Sequence, residues 1–82
     1  MRPRILVVDD EPGVRDALRQ VLEYEGHEVR VAASGGEAIT LYPEFRPHLV
    51  FLDVKMGGLD GLETLARLRA LARRPPVGRD RA

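Results

Sequence analysis

Three carboxylates carry the chemistry open to this chain. Asp53 follows the short apolar run Leu49-Val50-Phe51-Leu52 and precedes Val54-Lys55-Met56-Gly57-Gly58-Leu59-Asp60-Gly61. An apolar strand that runs into an acid and then a Gly-rich loop puts that acid at the carboxyl end of a buried strand, where open α/β sheets bind ligands. Asp9 and Asp10 follow Ile5-Leu6-Val7-Val8 in the same way. If the strands are ordered 2-1-3, the first and third are neighbours and all three carboxylates converge at the switch-point crevice. Clustered carboxylates repel one another unless a cation or proton intervenes. An oxygen-rich, thiol-free site suits Mg2+. A carboxylate held beside a divalent metal can attack phosphorus, and the aspartyl phosphate so formed is an established covalent use of Asp. Position and residue type together point to a Mg2+-dependent phospho-acceptor.

Each piece also has a plainer reading. Asp9-Asp10-Glu11 suits a helix N-terminus, and acids are common where strands meet loops, as at Asp53. The matching strand ends favour the shared site. Asp60 reads as a helix cap, not a ligand. His27 and His48 stand near strand starts with no partner at metal-ligand spacing, which marks them as structural or surface residues. Arg67, Arg69, Arg73 and Arg74 belong to a solvated face and helix end. Ser34-Gly35-Gly36 is too short a Gly signal for a phosphate loop.

The elements that must position these acids follow in alternation. Arg4 to Val8 is a continuous aliphatic strand of the kind buried on both faces. Pro12 suits the first turn of a helix, and Val14, Ala17, Leu18, Val21 and Leu22 lie on one helical face. Gly26 is a fitting stop. Val29-Arg30-Val31 alternates, as near a sheet edge. Ser34-Gly35-Gly36-Glu37 is a capping-box pattern that opens a second helix with Ala38, Ile39, Leu41 and Tyr42. Pro43 should end or kink it. His48 to Leu52 forms the third strand. Asp60 then caps a third helix, with Glu63 three residues on and an apolar face of Leu62, Leu65, Ala66, Leu68 and Leu71. Arg73-Arg74 suits its C-terminal dipole, and Pro75-Pro76 stops it. This order of strand and helix predicts a parallel sheet with right-handed crossovers.

Composition bounds the rest. The chain has 82 residues, so it is one small domain at most, with a thin core burying about 60–65% of its unfolded surface. Hydrophobic residues at 44% and charged residues at 32% are ordinary for a globular protein. Lys+Arg and Asp+Glu both number 13. That balance argues against nucleic-acid or anionic-membrane binding as the main activity. With no cysteine, disulfides, thiolate metal sites and cysteine nucleophiles are excluded. The longest apolar runs are far too short to span a bilayer. The stretch after Met1-Arg2-Pro3-Arg4 is cut off by Asp9-Asp10-Glu11, which argues against a secretory signal. A cytoplasmic location is expected.

These residues resemble the receiver domain of bacterial two-component response regulators. The resemblance rests on Ile5-Leu6-Val7-Val8-Asp9-Asp10-Glu11-Pro12, on Gly26, on Gly36-Glu37-Ala38, and on Leu49-Val50-Phe51-Leu52-Asp53-Val54-Lys55-Met56 with Asp60-Gly61. It implies an α/β, open parallel sheet of flavodoxin-like receiver fold. It also implies that Asp53 is the phospho-acceptor and a histidine kinase the donor. Asp10 would ligate Mg2+ directly, Asp9 through water, and Lys55 through its backbone carbonyl. Leu59-Asp60-Gly61-Leu62-Glu63-Thr64-Leu65 looks most like regulators of transcription.

Two departures stand out. Gly57 occupies a position where the family usually has Pro, which should loosen the loop after Asp53. After Pro75-Pro76-Val77 the sequence does not continue as an apolar strand, so the expectation is a fold truncated to about three strands (order 2-1-3) and three helices. Residues 1–76 would form a partial receiver and residues 77–82 a frayed tail. The family's switch Ser/Thr and its phosphate-pairing Lys have no counterpart here. An exposed third strand and an uncovered first helix would favour a homodimer, aggregation or marginal folding. Two other functions compete with phospho-acceptance. One is a non-switching interaction module that docks a kinase or another receiver. The other is a phosphohydrolase with an Asp nucleophile, disfavoured because Lys55 stands where that chemistry usually wants a second acid. Direct contact with nucleic acid or membrane is not expected, nor is enzymatic turnover beyond the chain's own phosphorylation and dephosphorylation.

Overall fold

A computed structural model describes residues 2–56 and 61–73. Expectations placed on Gly57, Asp60, Arg74, Pro75-Pro76 and the 77–82 tail lie outside the described residues. The elements run β1 (Arg4–Val8), α1 (Pro12–Tyr24), β2 (Glu28–Ala32), α2 (Gly35–Phe45), β3 (Leu49–Leu52) and α3 (Gly61–Arg73). The three strands form one parallel sheet in the order β2-β1-β3. This is the expected open α/β sheet in the expected order. Its register sets Ile5 beside Val29 and Leu49, and Val8 beside Ala32 and Leu52.

β1 is central, and its aliphatic run is buried from Ile5 to Val8. Burying each of these side chains stabilises the fold by about 1.5–3 kcal/mol. Alternation divides them between two faces. Leu6 and Val8 join Ala32, Ala38, Phe45 and Met56 in one cluster, with Leu41, Val50 and Leu52 packed against it. Ile5 and Val7 turn to the opposite side, where α1 lies over β1 and β2. α3 packs against α2.

α1 starts with Pro12 at its first positions and stops as its sequence suggests. Gly26 takes φ +95°. The Gly26 N–H donates to the Glu23 carbonyl and the His27 N–H to the Leu22 carbonyl, the paired bonds of a Schellman stop. Its apolar stripe is only partly covered. α1 has no buried residue, and Val14 and Val21 remain 43% and 57% exposed. β3 is the outer strand among the described residues, and Leu49 and Phe51 are likewise exposed on it.

Two expectations need correction. Pro43 does not end α2, which continues to Phe45 and stops at Arg46 with φ 53°. Phe45 is anchored in the core, and the Arg4 guanidinium donates to the carbonyls of Phe45 and Arg46. The lost donor at Pro43 thus costs one bond in a last turn that is held from outside. On α3 the buried residues are Gly61, Thr64 and Leu68, while Leu62 and Ala66 face solvent. The buried stripe runs through a glycine and a threonine, which an apolar count passes over.

Candidate functional site

The acids expected to converge do so. One carboxylate oxygen from each of Asp9, Asp10 and Asp53 lies within 4.8 Å of the others. Parallel pairing of β1 with β3 produces this, since Val8 is in register with Leu52 and the next residue on each strand is an acid. The Asp53 N–H donates to the Val8 carbonyl (3.0 Å), and the Asp9 N–H to the Ala32 carbonyl (3.1 Å). The sheet ladder thus carries past both strand ends and fixes both acids. Asp9 is buried, Asp53 half-buried and Asp10 exposed.

Each strand-end acid is also turned by a backbone donor two residues on. The Glu11 N–H donates to Asp9 Oδ1 (2.9 Å), and the Lys55 N–H to Asp53 Oδ1 (2.9 Å). These Asx-type turns point the carboxylates across the crevice. Lys55 itself is exposed. Its N–H makes the bond to Asp53.

At such separations two ionised carboxylates repel by ~1 kcal/mol at the dielectric of water and by ~3.5 kcal/mol at an effective dielectric of 20. A cation relieves this. All three donors are hard carboxylate oxygens at neighbouring strand ends, the donor chemistry that suits Mg2+. The residues present therefore fit the metal.

Other residues fall where their types predict. His48 pairs with Arg4 through two bonds, its Nδ1 accepting the Arg4 N–H (2.9 Å) and its own N–H donating to the Arg4 carbonyl (2.7 Å). The His27 Nδ1 is buried without a hydrogen bond. Ser34 caps α2 by accepting the Glu37 N–H (3.1 Å). Arg67 pairs with Glu63 along α3.

Two contributors were not foreseen from sequence. Arg15 Nη1 donates to the Asp9 carbonyl at 2.8 Å. Its one visible signal is a cation in the first turns of a helix that directly follows paired acids. Gly61 approaches the loop after Asp53 so closely that a Cβ there would lie 2.1 Å from the Val54 Cα. Its signal is a glycine at a helix start, where a β-carbon would ordinarily be harmless.

Comparison with known proteins agrees with this geometry. Residues 5–78 match the family described as the response regulator receiver domain. A curated relative, response regulator MprA of Mycolicibacterium vanbaalenii, is 46% identical over 77 residues, which cover 94% of this chain and 33% of the relative. Sporulation initiation phosphotransferase F of Bacillus subtilis is 41% identical over 71 residues, covering 87% of this chain and 57% of that protein. The chain thus spans about a third of the length of the first curated relatives it matches. Among solved structures, a CheY-like receiver domain protein from Methanospirillum hungatei superposes with TM-score 0.84 at 35% identity, covering 87% of this chain and 57% of that one. The response regulator TrrA of Thermotoga maritima, solved in complex with Mg2+-BeF, gives 0.79 at 42% identity, covering 87% and 61%.

Proposed function

We propose, from the premise that this chain belongs to the response regulator receiver domain family, that its Asp53 accepts a phosphoryl group from a histidine kinase in a two-component pathway. The observation that supports this reading is the convergence of Asp9, Asp10 and Asp53 within 4.8 Å. In the transfer, an Asp53 carboxylate oxygen forms a bond to phosphorus as the bond from phosphorus to the donor's nitrogen or oxygen breaks, and the leaving group takes up a proton. Asp53 Oδ1 already accepts the Lys55 N–H, so Oδ2 is the freer nucleophile.

Asp10 and Asp53 would hold Mg2+, with Asp9 through water and the Lys55 carbonyl as a further oxygen. Bound there, the metal supplies charge neutralisation for the phosphoryl oxygens. The chain's own part is to hold Asp53 still and exclude competing orientations. Asp53 is consumed once per transfer, which makes the domain an acceptor and not a turnover enzyme. No helix among the described residues is long and apolar enough to cross a membrane. In this reading the receiver is cytoplasmic and governs transcription; the similarity to a relative named DNA-binding response regulator MtrA supports the second point.

A second reading is docking without transfer, favoured by the uncovered apolar residues Val14 and Val21 on α1. One experiment separates the two. The chain is incubated with Mg2+ and a small phosphodonor, and the bound phosphoryl is read by intact mass. Asp53→Asn should abolish labelling. Labelling that persists would move the acceptor elsewhere. A wild-type chain that never labels, yet still binds a kinase, would favour docking.

A further inference from the structure

The geometry points to Arg15 as a positioning residue of the acidic site: it clamps the turn that carries Asp9 and Asp10, and so sets how tightly the site takes a divalent cation. This rests on the Mg2+-site reading above. The Arg15 side chain holds that turn at its first residue: its guanidinium Nη1 donates to the Asp9 carbonyl (2.8 Å). The backbone N–H of Arg15 makes the ordinary first bond of α1, to the Glu11 carbonyl (3.0 Å), and closes the turn on its helix side. Between these points the Glu11 N–H returns to Asp9 Oδ1. Asp10 is thus the middle residue of a three-residue turn whose first residue is held by the Arg15 guanidinium and that is closed by the Glu11 N–H. Asp10 sits exposed at the crevice rim.

The placement of the charge supports the same role. A cation in the first turns of a helix opposes the helix dipole, and the first turn of α1 carries no acid to offset it. The acids just before the helix, Asp9, Asp10 and Glu11, supply the opposite charge. Two opposing effects on cation affinity follow. The guanidinium charge repels an incoming cation, while the clamp keeps the ligands preorganised. Partners that orient metal ligands typically carry ten- to a hundredfold in affinity. Arg15 is half-buried, so solvent screens part of its charge, and the clamp is the larger effect.

The test is an amide NMR titration of the full 82-residue chain with Mg2+ alone, on wild type, Arg15→Met and Arg15→Lys. Met keeps the aliphatic stem and removes both charge and donors. Lys keeps the charge and one possible donor. The expected result is a Mg2+ dissociation constant raised about tenfold in Arg15→Met, with an intermediate value in Arg15→Lys and an unchanged amide spectrum away from residues 9–15. Unchanged or tighter binding in Arg15→Met overturns the clamp, and tighter binding would show the charge to dominate. If Arg15→Met does not fold, Arg15→Lys decides alone, and affinity equal to wild type overturns the proposal. A wild type that shows no Mg2+ shifts at Asp9, Asp10 and Asp53 instead removes the metal-site reading, and the inference falls with it.

Discussion

The residues that shape this molecule most are not all the ones that would do its chemistry. Thr64 is fully buried on α3, and its hydroxyl has no hydrogen-bond partner among the described residues. A buried hydroxyl without a partner costs about 1–3 kcal/mol. Thr64→Val exchanges that group for a methyl of nearly the same shape and keeps β-branching, so helix propensity hardly changes. The variant should be more stable by about 1 kcal/mol, read as a melting temperature raised by about 4–8 °C for a domain of this size. A loss of stability would mean that the hydroxyl finds a partner in solution. Gly61 illustrates the opposite constraint, since no β-carbon fits where Val54 comes to 2.1 Å. That close approach fixes the start of α3 against the loop leaving Asp53. The acids themselves were legible because their types and strand-end positions were both visible in the chain. Arg15 was not, because its bond to the Asp9 carbonyl spans six residues and depends on how α1 leaves the turn.

At the scale of elements, legibility followed how local each cause is. Strand and helix order could be read because the aliphatic runs and 3.6-residue stripes are short-range patterns. The end of α1 could be read because one glycine carries it. Gly26 sits at φ +95° with open space around the position a Cβ would take. Gly26→Ala should therefore cost only backbone strain, about 1 kcal/mol, while Gly26→Asn should cost less, since Asn tolerates that region better. Denaturant midpoints for the two variants check this, and equal losses would contradict it. The extent of α2 was not legible, because what overrides Pro43 is distant in sequence. Arg4, from the first strand, bonds to the carbonyls at the helix end. The buried face of α3 was misjudged for a related reason. Close approach to the loop at Val54 selected Gly61, and the buried stripe continues through Thr64, while Leu62 is left 68% exposed.

At the scale of the whole molecule, one face of the sheet is well covered and the other is not. On the side of α2 and α3, Leu6 and Val8 lie within a continuous cluster. On the side of α1, coverage extends over β1 and β2, and β3 presents Leu49 at 50% and Phe51 at 40% exposure. Val14 and Val21 add exposed apolar area on α1. β3 contains no charged residue, and its backbone outward of β1 has no neighbouring strand among the described residues. Because the Asp53 N–H turns inward to Val8, alternation turns the N–H and C=O groups of Val50 and Leu52 to the open edge. An apolar edge without charged residues is the pattern that pairs with another chain. The free 82-residue chain should therefore associate with itself in a concentration-dependent way, visible as a rising sedimentation coefficient. Leu49→Lys places a charge on that strand at the end away from the acids, and should shift the chain toward monomer while leaving the Mg2+ shifts at Asp9 and Asp10 in place. A wild-type chain that sediments as a compact monomer at all concentrations would show that the exposed face of β3 is too small to drive association. Loss of the Mg2+ shifts in Leu49→Lys would show instead that the edge and the acidic crevice are one cooperative unit.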